Sequence, residues 1–494
     1  MAVLVYEVLR AIFLSRIRGR LYRSVRDYLE KNQIRLDAFK LMHKIVVKQD
    51  LLNDSEIHQT IIRYAREKDL KIQDVQDQVE EYIEEIVPFF NLLSYYKIGY
   101  WVANFFLNIL YEVVIDRENA AKLEKIPPDS VVVFVMNHRS NIDYILVAYM
   151  LAKQISLSYA VGEWARVWPL EYIFKSFGAY FVRRKFREPL YHLVLEKYVQ
   201  LISLQGVTQG IFLEGALTRD GNFRSAKVGI LDYIIKIKKN PSFDRELVFV
   251  PAAINYDWVL EDRTLMQEWR KGKEKSGFRD HAVSLARIVV KGPLTLIANS
   301  ARYMARRLKN HGYASVSFGD PVLLSDFLVR QSQDLFHIDR YDRLAYVQAF
   351  GDTLLERIGK VIPVTPVCIT AQALLSMNTR DVSKDDLIRR VSVLRNTIKA
   401  GGGRIVLGKS FESSLHIHEH LLAEKPERTR ELVSFEEEIL DYDYAEQTVD
   451  FALDLLKRRK IVSSRNGRIT VHEKKMPFLE YYANSLRLLD VKIP

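Results

Sequence analysis

Between Val131 and Val147 the chain reads VVVFVMNHRSNIDYILV, and its hydrophobic pattern changes period within that stretch. Val131 to Val135 form a short, unbroken apolar run of the kind that makes a strand buried on both faces. The run stops at Asn137-His138-Arg139-Ser140-Asn141, and apolar residues return at Ile142, Ile145, Leu146 and Tyr149, which is helical spacing. Ser140 or Asn141 suits the N-cap of that helix. The pattern thus predicts strand, turn and helix, with His138 in the turn and Asp143 in the first helical turn. On a continuous helix, residues five apart diverge by about 140°. A bend between them lets Asp143 face back, accept the Nδ1 proton of His138 and leave Nε2 as a base of fixed tautomer. No side-chain nucleophile accompanies the pair, so a substrate hydroxyl is the expected nucleophile. The same spacing also suits a turn histidine that only satisfies backbone groups.

The pattern elsewhere divides the chain into three regions. Residues 1–120 read as helical throughout, with a polar helix at Ile72 to Ile86. Pro88 to Ile115 is rich in aromatic residues and reads as a buried or membrane-facing helical hairpin. From 121 to 327, apolar runs alternate with helical patterns, which predicts an α/β sheet domain. Its further strands are expected at Gly178 to Val182, Gly210 to Leu213, Leu247 to Ile254 and Ser315 to Phe318. Residues 328–494 read as mostly helical, with a β-hairpin at Ile461 to Val471 turning on Asn466-Gly467.

Composition narrows the function classes. A net charge of +11 and a pI near 9.3 favour an anionic partner. The single cysteine, Cys368, excludes an internal disulfide framework and points to a reducing compartment. The apolar start, Ala2 to Leu14, carries Glu7 and Arg10 and does not read as a signal peptide. The nearest candidate for a spanning helix, Ile98 to Ile115, is slightly short and contains Glu112. A soluble or membrane-surface protein is therefore expected. Arg16, Arg18, Arg20, Arg23 and Arg26 beside apolar residues suit a helix lying on an anionic membrane, or an amphipathic helix packed on its own domain. The C-terminal region lacks a dense basic recognition helix, which argues against nucleic acid. His416, His418 and His420 lack a clear third ligand, so no metal site is expected. Nucleotide fingerprints and G-x-S-x-G are missing.

Four more blocks follow the His138 turn. A strand ending in Arg183-Arg184 would deliver guanidinium groups to the carboxyl edge of the sheet, in a geometry that matches phosphate oxygens. With NHRSNID, the segments GAYFVRR (178–184), FLEGALTRDG (212–221), FVPAAINYD (249–257) and FGDP (318–321) occur in order. Together they resemble the H-x-x-x-x-D, G-A-[FY]-F-[IV]-R-R, F-x-E-G-T-R-S-R, V-P-I-x-I-x-Y-[DE] and F-G-[DE]-P blocks of the glycerol-3-phosphate and dihydroxyacetone-phosphate acyltransferases. IPVTPV (362–367) and FLEYYANS (478–485) resemble C-terminal segments of the larger bacterial glycerol-3-phosphate acyltransferases.

The resemblance implies a glycerolipid-acyltransferase-type mixed sheet flanked by helices. It also implies acyl transfer from acyl-CoA or acyl-carrier protein to the 1-hydroxyl of glycerol 3-phosphate, with no metal or bound cofactor, at the cytoplasmic face of a membrane. His138 and Asp143 would be catalytic, with backbone amides of the turn stabilising the oxyanion. Arg183, Arg184, Glu214, Gly215, Arg219 and Lys227 would bind substrate. Leu217 stands where the family has its first arginine, and Ala216 replaces the usual threonine or glycine. The dihydroxyacetone-phosphate branch and a non-catalytic lipid- or membrane-binding module remain alternatives.

Overall fold

The structure is a computed structural model that describes residues 44–89, 100–115, 122–123, 126–127, 129–151, 157–166, 170–183, 186–270, 311–331, 334–379, 381–406 and 430–489. Arg184, the basic start with Arg16 to Arg26 and the three histidines at 416, 418 and 420 lie outside them.

The strands in chain order are β1 (Glu112–Ile115), β2 (Val131–Met136), β3 (Ser158–Gly162), β4 (Tyr180–Val182), β5 (Gln209–Phe212), β6 (Leu247–Tyr256), β7 (Tyr313–Phe318) and β8 (Val322–Leu323). They form one mixed sheet in the order β1-β7-β6-β2-β5-β3-β4, with β8 paired to β6. β2 and β6 are central, and every residue in both is buried, as their unbroken apolar runs require. β2 runs parallel to β6 and β5, β5 to β3, and β3 to β4, so five carboxyl ends share one edge. His138, Arg183, Leu213 and Asp257 follow strands at that edge. Ligands of such sheets bind there.

Helix was expected through residue 120, but it stops at Leu110, the end of the Tyr100–Leu110 helix. Glu112–Ile115 then pairs in parallel with β7. Val113, Val114 and Ile115 are β-branched and favour a pleated, half-buried edge. The residues expected as the end of a helical hairpin are thus an edge strand of the sheet.

The region after residue 327 is built onto the sheet. Phe350 of the Arg340–Lys360 helix packs edge-on against Phe249 of β6 at 5.1 Å. Arg343 pairs with Asp232 at 2.9 Å, and the Asp257 carboxylate accepts the N–H groups of Tyr313 and Val367, both at 2.8 Å. A second sheet joins β9 (Asp381–Ser383), β10 (Val462–Arg465) and β11 (Arg468–Val471), all antiparallel. Its hairpin turns on Asn466 and Gly467, both at positive φ (50° and 73°), the conformation that Asn-Gly favours. The Met476–Ala483 helix lies after this sheet.

Candidate active site

β2 ends at Met136, and the next side chain continues its pairing. Asn137 accepts from Ile254 N at 2.7 Å and donates to Ile254 O at 2.9 Å, so its amide stands in for a strand residue on β6. The main chain is then free to turn away. The turn is held from inside by Asp143, the first residue of the Asp143–Leu151 helix. Its Oδ2 accepts from His138 Nδ1 at 2.9 Å, Arg139 N at 2.7 Å and Ser140 N at 3.0 Å. Its Oδ1 accepts from the Tyr256 hydroxyl at 2.6 Å. A carboxylate at Nδ1 places the proton there and the lone pair on Nε2. The imidazole stacks on Phe212 at 4.3 Å and meets the Tyr144 ring edge-on at 5.4 Å. Both His138 and Asp143 are buried.

Other carboxylates secure the same turn. Glu214, beyond the end of β5, accepts from His138 N through Oε1 and from Arg224 N through Oε2, both at 2.9 Å. Thr218 N donates to His138 O at 3.0 Å, closing the loop onto the turn. Glu261 accepts from Ser140 Oγ at 2.7 Å and Asn141 N at 3.3 Å. With Ile142 N on Ser140 Oγ and Asp143 N on Ser140 O, each backbone N–H from His138 to Asp143 has an acceptor inside the protein. This corrects the expectation that amides of the turn stabilise an oxyanion, because those donors hold the turn itself.

The expected phosphate cations separate. β4 lies three strands from β2, about 14 Å at ordinary strand spacing. Arg183 there donates from Nε to Glu85 Oε1 at 2.7 Å and from Nη2 to Glu85 Oε2. Its guanidinium also faces the rings of Phe186, Tyr191 and Tyr82. Hydrogen bonding to Glu85 raises its already high pKa, so this arginine clamps the Ile72–Ile86 helix to the edge strand. Arg219 lies beside Thr218 and pairs with Glu268 at 3.4 Å. Gly215 has φ +63°, and a Cβ there would lie 3.0 Å from Lys227 Cγ, so the glycine lets the lysine stem pass. The Lys227 residue is exposed, whereas Leu217 is buried in the core. The structure therefore gathers His138, Asp143, Glu214, Gly215 and Lys227 around one turn and loop, places Arg219 next to that loop, and keeps Arg183 away.

Two family models match the chain, one described as acyltransferase over residues 117–255 and one as the glycerol-3-phosphate acyltransferase C-terminal region over residues 300–440. Curated relatives named glycerol-3-phosphate acyltransferase include one from Aeromonas hydrophila subsp. hydrophila, 26% identical over 393 residues, or 78% of this chain and 46% of that protein. One from Haemophilus influenzae is 25% identical over 389 residues, covering 76% and 45%. One from Actinobacillus succinogenes is 26% identical over 388 residues, also covering 76% and 45%. The matched stretch is under half the length of each of these relatives. A solved 1-acyl-sn-glycerophosphate (LPA) acyltransferase from Thermotoga maritima aligns over 63% of this chain and 98% of its own at 16% identity. Its TM-score of 0.28 is too low to support a comparison of folds.

Tyr256 and Glu261 went unassigned from sequence although both touch the turn. Tyr256 is the tyrosine of the fourth block, and that block was the available signal. Glu261 stands in no motif, and only the fold brings it to Ser140. Arg139, inside the first motif, was also passed over.

Two expected results follow from these contacts. Burial pushes the Glu214 carboxyl up to about 7 from 4.5, against the pull of its two backbone donors. A carboxyl raised in the folded state adds stability that is fully present below about pH 4.5 and is lost as pH rises through about 7. Glu214→Gln should flatten that decline. It should also cost about 1–3 kcal/mol, because one N–H donor then faces an amide NH₂. Urea unfolding of both proteins at about pH 5 and pH 8 measures both effects. Arg183→Gln should likewise destabilise by about 1–3 kcal/mol by stripping a partner from Glu85, with Arg166 at 3.0 Å retaining part of the pairing. Steady-state kinetics should show its acceptor KM moving little, and a large rise in that KM would restore Arg183 to the binding site.

Proposed function

We propose that this chain transfers a fatty acyl group from an acyl thioester, acyl-CoA or acyl-carrier protein, to the 1-hydroxyl of glycerol 3-phosphate, giving lysophosphatidic acid. The observation that carries this reading is the buried His138–Asp143 pair, held in one tautomer at the carboxyl edge of the sheet, in the region that the acyltransferase model matches. The acceptor is suggested by the name shared by the curated relatives.

Nε2 of His138 takes the proton of the acceptor hydroxyl as its oxygen attacks the thioester carbonyl. Asp143 faces the imidazolium that forms. The tetrahedral intermediate collapses with cleavage of the C–S bond, and the imidazolium returns its proton to the leaving thiolate. Burial of the pair keeps bulk water from competing with the hydroxyl. These steps use no metal and no resident cofactor.

The test is transfer of a labelled acyl group by purified protein, with glycerol 3-phosphate, dihydroxyacetone phosphate and lysophosphatidic acid offered separately. Preference for glycerol 3-phosphate supports the proposal. Preference for another acceptor reassigns the substrate, and no transfer to any of them leaves a binding module. Peripheral contact with an anionic membrane is part of the same reading, supported by Arg16 to Arg26 and the net charge of +11. Vesicle sedimentation at low and high salt tests it, and binding indifferent to both salt and anionic lipid would refute an electrostatic anchor.

A further inference from the structure

We propose that Arg139 is the anion clamp of the site and grips the phosphate of the acceptor through the Nε–Nη2 edge of its guanidinium. Arg139 is among the largest fully buried side chains of the protein. Nη1 donates to Gly221 O at 3.3 Å, and the Tyr481 ring lies 5.1 Å from the guanidinium carbon. Nε and Nη2 are both buried and have no hydrogen-bond acceptor among the described residues. A buried cation left with donors unmade is costly, so such donors call for an acceptor.

The arrangement of the two donors identifies that acceptor. Nε and Nη2 lie on the same side of the planar guanidinium and form the fork that matches two oxygens of one oxyanion. Two other arginines of this chain use that edge in this way. Arg183 spans both oxygens of Glu85 through Nε and Nη2. Arg343 spans both oxygens of Asp232 at 2.9 and 3.4 Å. Glu214 is near enough for its charge to interact with Arg139, but its oxygens receive His138 N and Arg224 N. With no acceptor for that edge among the described residues, the proposal assigns the oxyanion to a ligand.

This assignment rests on the acceptor proposed above. His138 and Arg139 are consecutive residues with Cα atoms about 3.8 Å apart, so base and clamp belong to one turn. In glycerol 3-phosphate the 1-hydroxyl and the phosphate are the two ends of a three-carbon unit. The phosphates of a thioester donor lie at the far end of the pantetheine arm from the reacting carbonyl. The geometry of neighbouring base and clamp therefore favours the acceptor. It also assigns to the first motif a recognition role that was expected of Arg183.

Kinetics with each substrate varied in turn, applied to wild type, Arg139→Gln and Arg139→Lys, test the clamp. Arg139→Gln should raise the acceptor KM about tenfold or more and leave the donor KM unchanged. Arg139→Lys, which keeps the charge without the fork, should fall between. A kcat loss with the acceptor KM unmoved overturns the proposal in favour of a structural or oxyanion role. A rise confined to the donor KM overturns it in favour of the donor's phosphates.

A second measurement does not depend on turnover. Inorganic phosphate, at ionic strength matched with chloride, should raise the melting temperature of wild type but not of Arg139→Gln. Equal protection of both proteins, or of neither, overturns the clamp. If wild type acylates no phosphorylated alcohol while this selective protection holds, the proposed reaction fails and the anion site stands.

Discussion

His138→Asn should abolish most of the transfer, lowering kcat by roughly 10²–10⁴, while the unfolding midpoint stays close to wild type. The asparagine amide can occupy the place of Nδ1 and donate to the Asp143 carboxylate, which the imidazole does now at 2.9 Å. What disappears is Nε2. His138→Ala should lose the same activity and also lower stability, because it empties the space between Phe212 and Tyr144. Measuring kcat and urea midpoints for both variants separates chemistry from packing. Near-wild-type turnover in a folded Asn variant would remove His138 as the base.

The second large effect belongs to Asp143, where the structure distinguishes two substitutions. In Asp143→Ala, Arg139 N and Ser140 N lose their acceptor together with His138 Nδ1, so the turn itself loosens. Its kcat should fall by roughly 10²–10⁴, with a loss of stability. Asp143→Asn should be milder. The two backbone donors fix the asparagine oxygen where Oδ2 now sits, leaving its NH₂ toward the Tyr256 hydroxyl, which can accept. The Nδ1–H tautomer survives, and only the negative charge is lost. An imidazolium without a carboxylate partner is less favoured, so the acidic limb of the pH–rate profile should move to lower pH. A profile unshifted from wild type would show that Asp143 contributes through geometry alone. Adding Tyr256→Phe should worsen Asp143→Asn more than wild type, because the amide NH₂ then has no acceptor.

The parts of this fold that were legible from the sequence are those set by local pattern. β2 and β6 read as continuous apolar runs, the Ile72–Ile86 helix as a polar amphipathic segment, and the β10–β11 hairpin as Asn-Gly between strands. β1 was missed because Val113, Val114 and Ile115 follow an aromatic helical stretch, and their partner β7 is far along the chain. The His138–Asp143 pair was legible because both residues lie within one strand–turn–helix unit. The fate of Arg183 was not, since its partner Glu85 lies 98 residues away on a helix whose acidic residues all look solvent-facing in sequence. The burial of Arg139 had no local sign either, because charged residues are buried only where the fold closes over them.

That closure has a consequence for how the protein is made. Gly221 stands at φ +88°, and a Cβ there would lie 2.0 Å from the Tyr481 carbonyl oxygen, so loop and helix touch backbone to backbone. Asn484 Nδ2 adds a bond to Asp220 O at 2.8 Å, and the Tyr482 hydroxyl accepts from Val259 N at 3.2 Å. The His138–Asp143 pair lies within one strand–turn–helix unit, but the cover over Arg139 is supplied by residues that leave the ribosome far later. A nascent chain stalled before Met476 would already hold His138 against Asp143, with Arg139 still open to water. Competence in such a chain should therefore appear with the emergence of the Met476–Ala483 helix, long after the central sheet has formed.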